Sequence, residues 1–361
     1  MKHDINTLRL FQSAFEGNLE AVTNLVRQGA NVNAMDEITK CAPIHLATHT
    51  GKIEVIKFLI ENKADINAPD KTSGSTPLHI VSGGGGFLLF TSELFANQRD
   101  GTELIAKEIL SAQKYHPLVA KFLLEKGADT EAKDKNGMTP LLIAAQSGNV
   151  PMIKLLVKKG ANIDALANNT TPLYFAIENG HTEAATTLIE LGAKIDKIDN
   201  LGRTPLHIAI ENNKTKTALA LIKLGANVNL PDGTFNFTPL QIAAQKGNTE
   251  LLKPLIDKGA DVNAEDEMGN TPYLLASKNG NSETAKALIK LGAKDLKDLT
   301  PLEIIAIDGR AEALRSLKIQ ESKKNNVDSK GNIPQSNTNL RGGEGGKGKK
   351  LDALSKDKSR K

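Results

Sequence analysis

The chain has 361 residues, 39% hydrophobic and 24% charged, which is apolar enough to bury an extended core and excludes disorder throughout. No apolar run approaches the roughly 20 residues a membrane-spanning helix needs, and the opening MKHDINTLRLFQSAFEGN lacks the apolar stretch of a classical secretory signal. The single cysteine, Cys41, rules out an internal disulfide, argues against a cysteine metal site, and points to a reducing, cytoplasmic compartment. The net charge of +4 is unevenly spread: residues 318–361 hold 12 Lys or Arg against 5 Asp or Glu, leaving 34 against 37 for residues 1–317.

Two markers recur in phase along the first 317 residues. Variants of Thr-Pro-Leu-His place prolines at 43, 77, 140, 172, 205, 239, 272 and 301, in steps of 34, 63, 32, 33, 34, 33 and 29. A Gly-Ala-Asp/Asn marker follows at 29, 63, 127, 160, 192, 225, 259 and 292, with Lys in place of Gly at 63 and Lys in the third place at 192 and 292. A fixed period near 33 residues is the signature of stacked supersecondary units.

Each unit reads as two helices and a finger. Thr204 is an N-cap and Pro205 sits at the first helical position, where a missing N–H costs nothing; Leu206, Ile208 and Ala209 then make an apolar face. A second helix such as 150–160 carries Ile153, Leu155, Leu156 and Val157, and Gly160 supplies the left-handed residue that ends it. The segment that follows, as in ANIDA or ADVNAED, alternates apolar and polar residues up to the next Thr-Pro and reads as an extended finger.

These boxes and their period resemble the ankyrin-repeat family, over about residues 5–317. The resemblance implies an all-α repeat solenoid of helix-turn-helix units with β-hairpin fingers, nine units here. In chain order these are an N-terminal unit without the Thr-Pro box (5–34), seven inner units, and a short last one (300–318) without the second marker; atypical ends suit a solenoid, whose terminal units face water. The 63-residue step marks an insertion at about 86–115 in the third unit, leaving the helix-helix turn through the run SGGGGFLLF, with a helix expected at 102–115. The glycine run lacks the Lys-Ser/Thr ending of a phosphate loop, and FLLF is too short to hold a membrane. Packing onto the solenoid and service as a binding loop both remain open for the insert. The tail 318–361, rich in Gly, Ser, Asn and Lys, is expected to be disordered.

No catalytic constellation stands out, so an enzyme is not expected. His45 and His49 are four apart, a metal-ligand spacing, but they lack the glutamate of the HExxH motif; His45, His79 and His207 fall at the family's structural box position. No cofactor, metal or small-molecule substrate is expected. The resemblance implies a monomeric protein-binding scaffold whose contacts come from finger tips and first-helix ends along the concave face. Carried onto this chain, that selects Lys135, Asn136, Met138, Gln146 and Ser147 in the fourth unit and Glu178 and Asn179 in the fifth. In the sixth it selects Asn200, Leu201, Arg203, Glu211 and Asn212, in the seventh Phe235, Phe237, Gln245 and Lys246, and in the eighth Glu267, Met268, Lys278 and Asn279. Phe235 and Phe237 lie two apart on a finger and should point to one side, as interface anchors or packed against the neighbouring finger. The fifth finger, ALANNTTP, lacks the usual Asp and Gly.

Two further readings stay open. Basic polar tails also resemble those of ankyrin-repeat effectors that intracellular bacteria deliver into host cells. The tail's lysines could also serve a nucleic-acid-associated or enzyme-regulatory adaptor, although without interleaved aromatics nucleic acid is not the expected partner.

Overall fold

The computed structural model describes residues 5–83 and 115–294. The last unit at 300–318, the tail, and the insertion apart from Tyr115 lie outside them. Among the described residues, sixteen helices form eight pairs. The first helices are α1 (Ile5–Glu16), α3 (Pro43–His49), α5 (Pro77–Ser82), α7 (Pro140–Gln146), α9 (Pro172–Glu178), α11 (Pro205–Glu211), α13 (Pro239–Lys246) and α15 (Pro272–Lys278). Their partners are α2 (Leu19–Arg27), α4 (Ile53–Glu61), α6 (His116–Glu125), α8 (Val150–Lys158), α10 (Thr182–Glu190), α12 (Thr215–Lys223), α14 (Thr249–Asp257) and α16 (Ser282–Lys290). Each first helix packs on its own partner and on the first helices either side, so the molecule is an all-α repeat stack. Leu and Ala line the seam: Leu10, Ile44, Leu78, Leu141, Leu206 and Leu240 are fully buried, and one apolar cluster runs unbroken from Leu10 to Ala293.

The helix boundaries follow from local chemistry. From α3 onward every first helix starts on a box proline, after an N-cap residue in extended conformation. Thr139, Thr171, Thr204, Thr238 and Thr271 each accept the N–H three residues on, one of the orphan donors of a helix start. Seven second helices are followed by a glycine with φ between 90° and 104°, whereas Lys63 takes that left-handed place after α4 at φ 68°.

The fingers are held by side chains more than by β pairing. Among the described residues the sole bridge joins Ala167 and Thr170. Elsewhere an aspartate occupies the bend and accepts backbone N–H groups two to five residues on: Asp70 from Thr72, Ser73 and Ser75, Asp134 from Asn136 and Met138, Asp199 from Leu201 and Arg203. These caps satisfy the donors a hairpin ladder would otherwise use. The fifth finger, with Ala167 where that aspartate would be, turns instead through Asn168 and Asn169, both left-handed (φ 49° and 61°), as a two-residue hairpin requires.

Units are locked together by one repeated device. The box histidine accepts the N–H of its N-cap residue at Nδ1 and donates from Nε2 to a carbonyl of the next finger: His45 to Ala68 (2.9 Å), His79 to Met138 (3.0 Å), His207 to Phe237 (3.1 Å). Gln241 repeats it with its amide, accepting from Thr238 N–H and donating to Ala264 and Asn270 carbonyls, and Tyr174 donates to Lys197 and Arg203 carbonyls. A second thread runs one unit to the next through finger side chains. Asp65 N–H reaches Asn33, Asp129 N–H reaches Asn67, and Asn227 N–H reaches Asp196.

Candidate functional site

Among the described residues, a cleft of about 440 Å³ lies between the sixth and seventh fingers above α11 and α13. It gathers Arg203, Glu211, Phe235, Phe237, Gln245 and Lys246 with Leu201, Asp232, Thr234 and Ile242. Close approach of the two fingers shapes it: Gly233 N–H donates to Leu201 carbonyl at 2.9 Å, and a Cβ on Gly202 would fall 2.5 Å from Gly233 nitrogen.

The aromatic wall is built by the seventh finger. Buried Asp232 accepts N–H groups from Thr234 (3.2 Å), Phe235 (2.9 Å) and Phe237 (3.1 Å). Burial pushes its carboxyl up, but these hydrogen bonds outweigh it and hold the group below the usual carboxylate range. Asn236 between the phenylalanines is left-handed (φ 61°), so the two rings meet with centroids 5.7 Å apart. Phe237 is half-buried and packs on the core, while Phe235 remains 54% exposed.

The charged wall is internally matched. Arg203 donates to Asp199 at 2.8 Å and to Glu211 at 2.8 Å, joining the sixth finger to the end of α11. Lys246, exposed at the end of α13, has no ion-pair partner among the described residues.

A second cleft, of about 300 Å³, joins Gln146 and Ser147 to Ser73, His79, Ile80, Asp134 and Ile143. Lys135 stands on its finger, but its Nζ is tied to the Lys71 and Thr72 carbonyls of the finger before it. Asn136, Glu178, Asn179, Asn200, Asn212, Glu267, Met268, Lys278 and Asn279 are exposed. Asn179 lines a third recess with Lys214 and Lys216, and Lys278 donates to Asn270 at 2.6 Å. Met138 differs from the expectation: it is buried in a small cluster with Leu142, Ala165 and Ala167, so it packs the next finger instead of facing a partner. Ile80, Ile143 and Ile242 were not selected from sequence, although each stands three residues after its box proline, one helical turn from selected positions such as Gln146 and Gln245.

Chemically reactive groups are quiet. Burial, then the nearby Asp70 and Asp36, push the Cys41 thiol up to about 12, so it stays protonated. Burial holds His45, His79 and His207 below the usual imidazole range, in the neutral form their hydrogen bonds require. His49 is buried with both ring nitrogens unpartnered, and among the described residues no three His, Cys, Asp or Glu side chains are grouped to hold a metal.

The stacked helix pairs, box caps and finger bridges define a helical repeat protein. A family model for ankyrin repeats (3 copies) matches residues 10–87, 109–199, 167–232, 195–266 and 240–331, more than half of the chain. The chain belongs to the ankyrin-repeat family, whose repeats are protein-protein interaction modules. Similar stretches occur in delta-latroinsectotoxin-Lt1a of Latrodectus tredecimguttatus (44% identical over 54 residues, 15% of this chain and 4% of that one). They also occur in an ankyrin repeat protein of Rickettsia bellii (44% over 50 residues, 14% and 15%) and in a transient receptor potential cation channel subfamily A member 1 homolog of Caenorhabditis elegans (43% over 56 residues, 16% and 5%). The chain thus spans a small part of each relative's length. No helix among the described residues is long and apolar enough to cross a membrane.

Proposed function

We propose that the protein is a non-enzymatic scaffold that docks a partner protein on its finger and first-helix surface, with the cleft of the sixth and seventh units as the principal contact. One observation carries this reading: Phe235 is 54% exposed at the mouth of a preformed cleft, on a finger whose backbone is fixed by Asp232 and by His207. A large aromatic held rigidly in the open, over a part-apolar floor of Phe237 and Ile242, loses little conformational freedom on binding.

The test is affinity capture with mass spectrometry from bacterial and eukaryotic lysates, comparing the intact chain, residues 1–317, and Phe235→Ala. The intact chain and the truncation should retain one partner that Phe235→Ala loses. Retention that vanishes with residues 318–361 and washes off with salt would instead make the protein a charge-driven binder. The lysate that yields the partner separates an endogenous scaffold from a host-directed effector.

A further inference from the structure

The finger tips are not equivalent along the stack. Four residues before the box proline stand Ser73, Asn136 and Asn168 in the third to fifth units, all small or polar; in the second unit Thr39 at that place is buried against Asp36, and Ile38 beside it is the exposed tip. The same place in the sixth, seventh and eighth units holds Leu201, Phe235 and Met268, which are 49%, 54% and 69% exposed. Three large apolar side chains at one register position on consecutive fingers are a patterned patch, unlike the scattered exposed apolar residues every surface has. Packed helices lie about 10 Å apart, so three tips span on the order of 20 Å, the reach of about seven extended residues.

The charges lining the cleft decide what covers the row's Phe235 end. At the other end Met268 stands next to the exposed Glu267, with Glu265 also exposed on that finger, so the acid of a docked segment belongs near Phe235. Arg203 is matched by Asp199 and Glu211, and the Asp232 carboxylate is taken up by its own loop's N–H groups. The cation lining the cleft that lacks a counter-ion among the described residues is Lys246, on the α13 side away from the Arg203 network's own finger.

We propose that the row Leu201, Phe235 and Met268, with the adjoining cleft, docks an extended acidic-apolar segment of a partner protein. One large apolar side chain of the segment sits against Phe235, Phe237 and Ile242. A carboxylate two or three residues away meets Lys246. This rests on the scaffold reading above and narrows it to one class of partner.

Random 12-residue peptides displayed on phage and selected on the intact chain test it, with fluorescence anisotropy on the winning peptides. Winners should carry Phe, Leu, Ile or Trp with Asp or Glu close by. Phe235→Ala should weaken them about tenfold or more, as loss of an anchor does. Lys246→Glu should also weaken them, and replacing the peptide's acid by Lys should restore binding to Lys246→Glu; Glu37→Ala, at an exposed position of the second finger, should change nothing. Winners that need Phe235 but ignore Lys246→Glu, or are basic, overturn the acidic class and leave the scaffold reading standing. Winners indifferent to Phe235→Ala, or no enrichment at all, overturn the docking row. If the partner captured from lysate also ignores Phe235→Ala, the scaffold reading at this cleft falls with it. Circular dichroism of each variant confirms that the fold is intact.

Discussion

The fingers of the second to fourth units and those of the sixth to eighth share a scaffold but differ in what they present. In both groups an aspartate caps the bend, and a box side chain reaches the following finger: His45 and His79 in one, His207 and Gln241 in the other. Yet the tips read Ile38, Ser73 and Asn136 in the first group, one apolar and two polar, and Leu201, Phe235 and Met268 in the second, all large and apolar. The hydrogen bonds that build a finger engage mainly the backbone N–H groups of its tip, so most tip side chains can vary while the turn is kept, although Thr39 and Ser73 also donate a hydroxyl to their aspartate. A repeat protein can thus keep one architecture and place its recognition chemistry in a few units.

The shared scaffold is broken most severely at its bridges. His79→Ala and His207→Ala should each destabilise by about 3 kcal/mol, since each opens a buried cavity and orphans an N-cap N–H and a finger carbonyl. Urea unfolding followed by circular dichroism should show similar losses for the two, because the two groups of fingers use the same device. The tips should behave oppositely: Phe235→Ala should abolish most partner binding while shifting stability by no more than about 0.5 kcal/mol, and Glu37→Ala on the second finger should do neither.

Acid should weaken the scaffold along the stack. Burial holds His45, His79 and His207 below their unfolded value of 6.5, and burial with the neighbouring His116 brings His49 to about 4. The unfolded chain therefore binds protons first as pH falls, and this contribution to stability, fully present above pH 6.5, is lost progressively below it, the His49 share by about 4. The urea midpoint should hold steady at pH 7–8 and drop progressively below 6.5. The smallest effect is expected at Lys63, whose left-handed backbone sits where other units use glycine; Lys63→Gly should stabilise by about 1 kcal/mol or less in the same assay.

Much of this was legible in the sequence, because the informative residues act locally. Thr-Pro sets each first-helix start through capping geometry, and glycine sets the end of most second helices, with no tertiary information needed. What depended on the next unit was hidden. Met138, Arg203 and Phe237 occupy the same place, two before the box proline, yet Met138 is buried because the fifth finger covers it with Ala165 and Ala167. Arg203 was selected as a contact, and the structure adds that Asp199 and Glu211 hold its charge. The spacing of those two acids in the same unit was the signal that could have shown it. The fifth finger's missing aspartate was visible, and so was its remedy, since paired asparagines favour the left-handed turn.

The most direct test of a recognition surface confined to the later fingers is amide hydrogen exchange on the complex with the captured partner. Binding should slow exchange at residues 199–203, 232–237 and 266–270 and leave residues 36–41 and 70–75 unchanged. Protection centred on the second and third fingers, with 232–237 unaffected, would contradict the account.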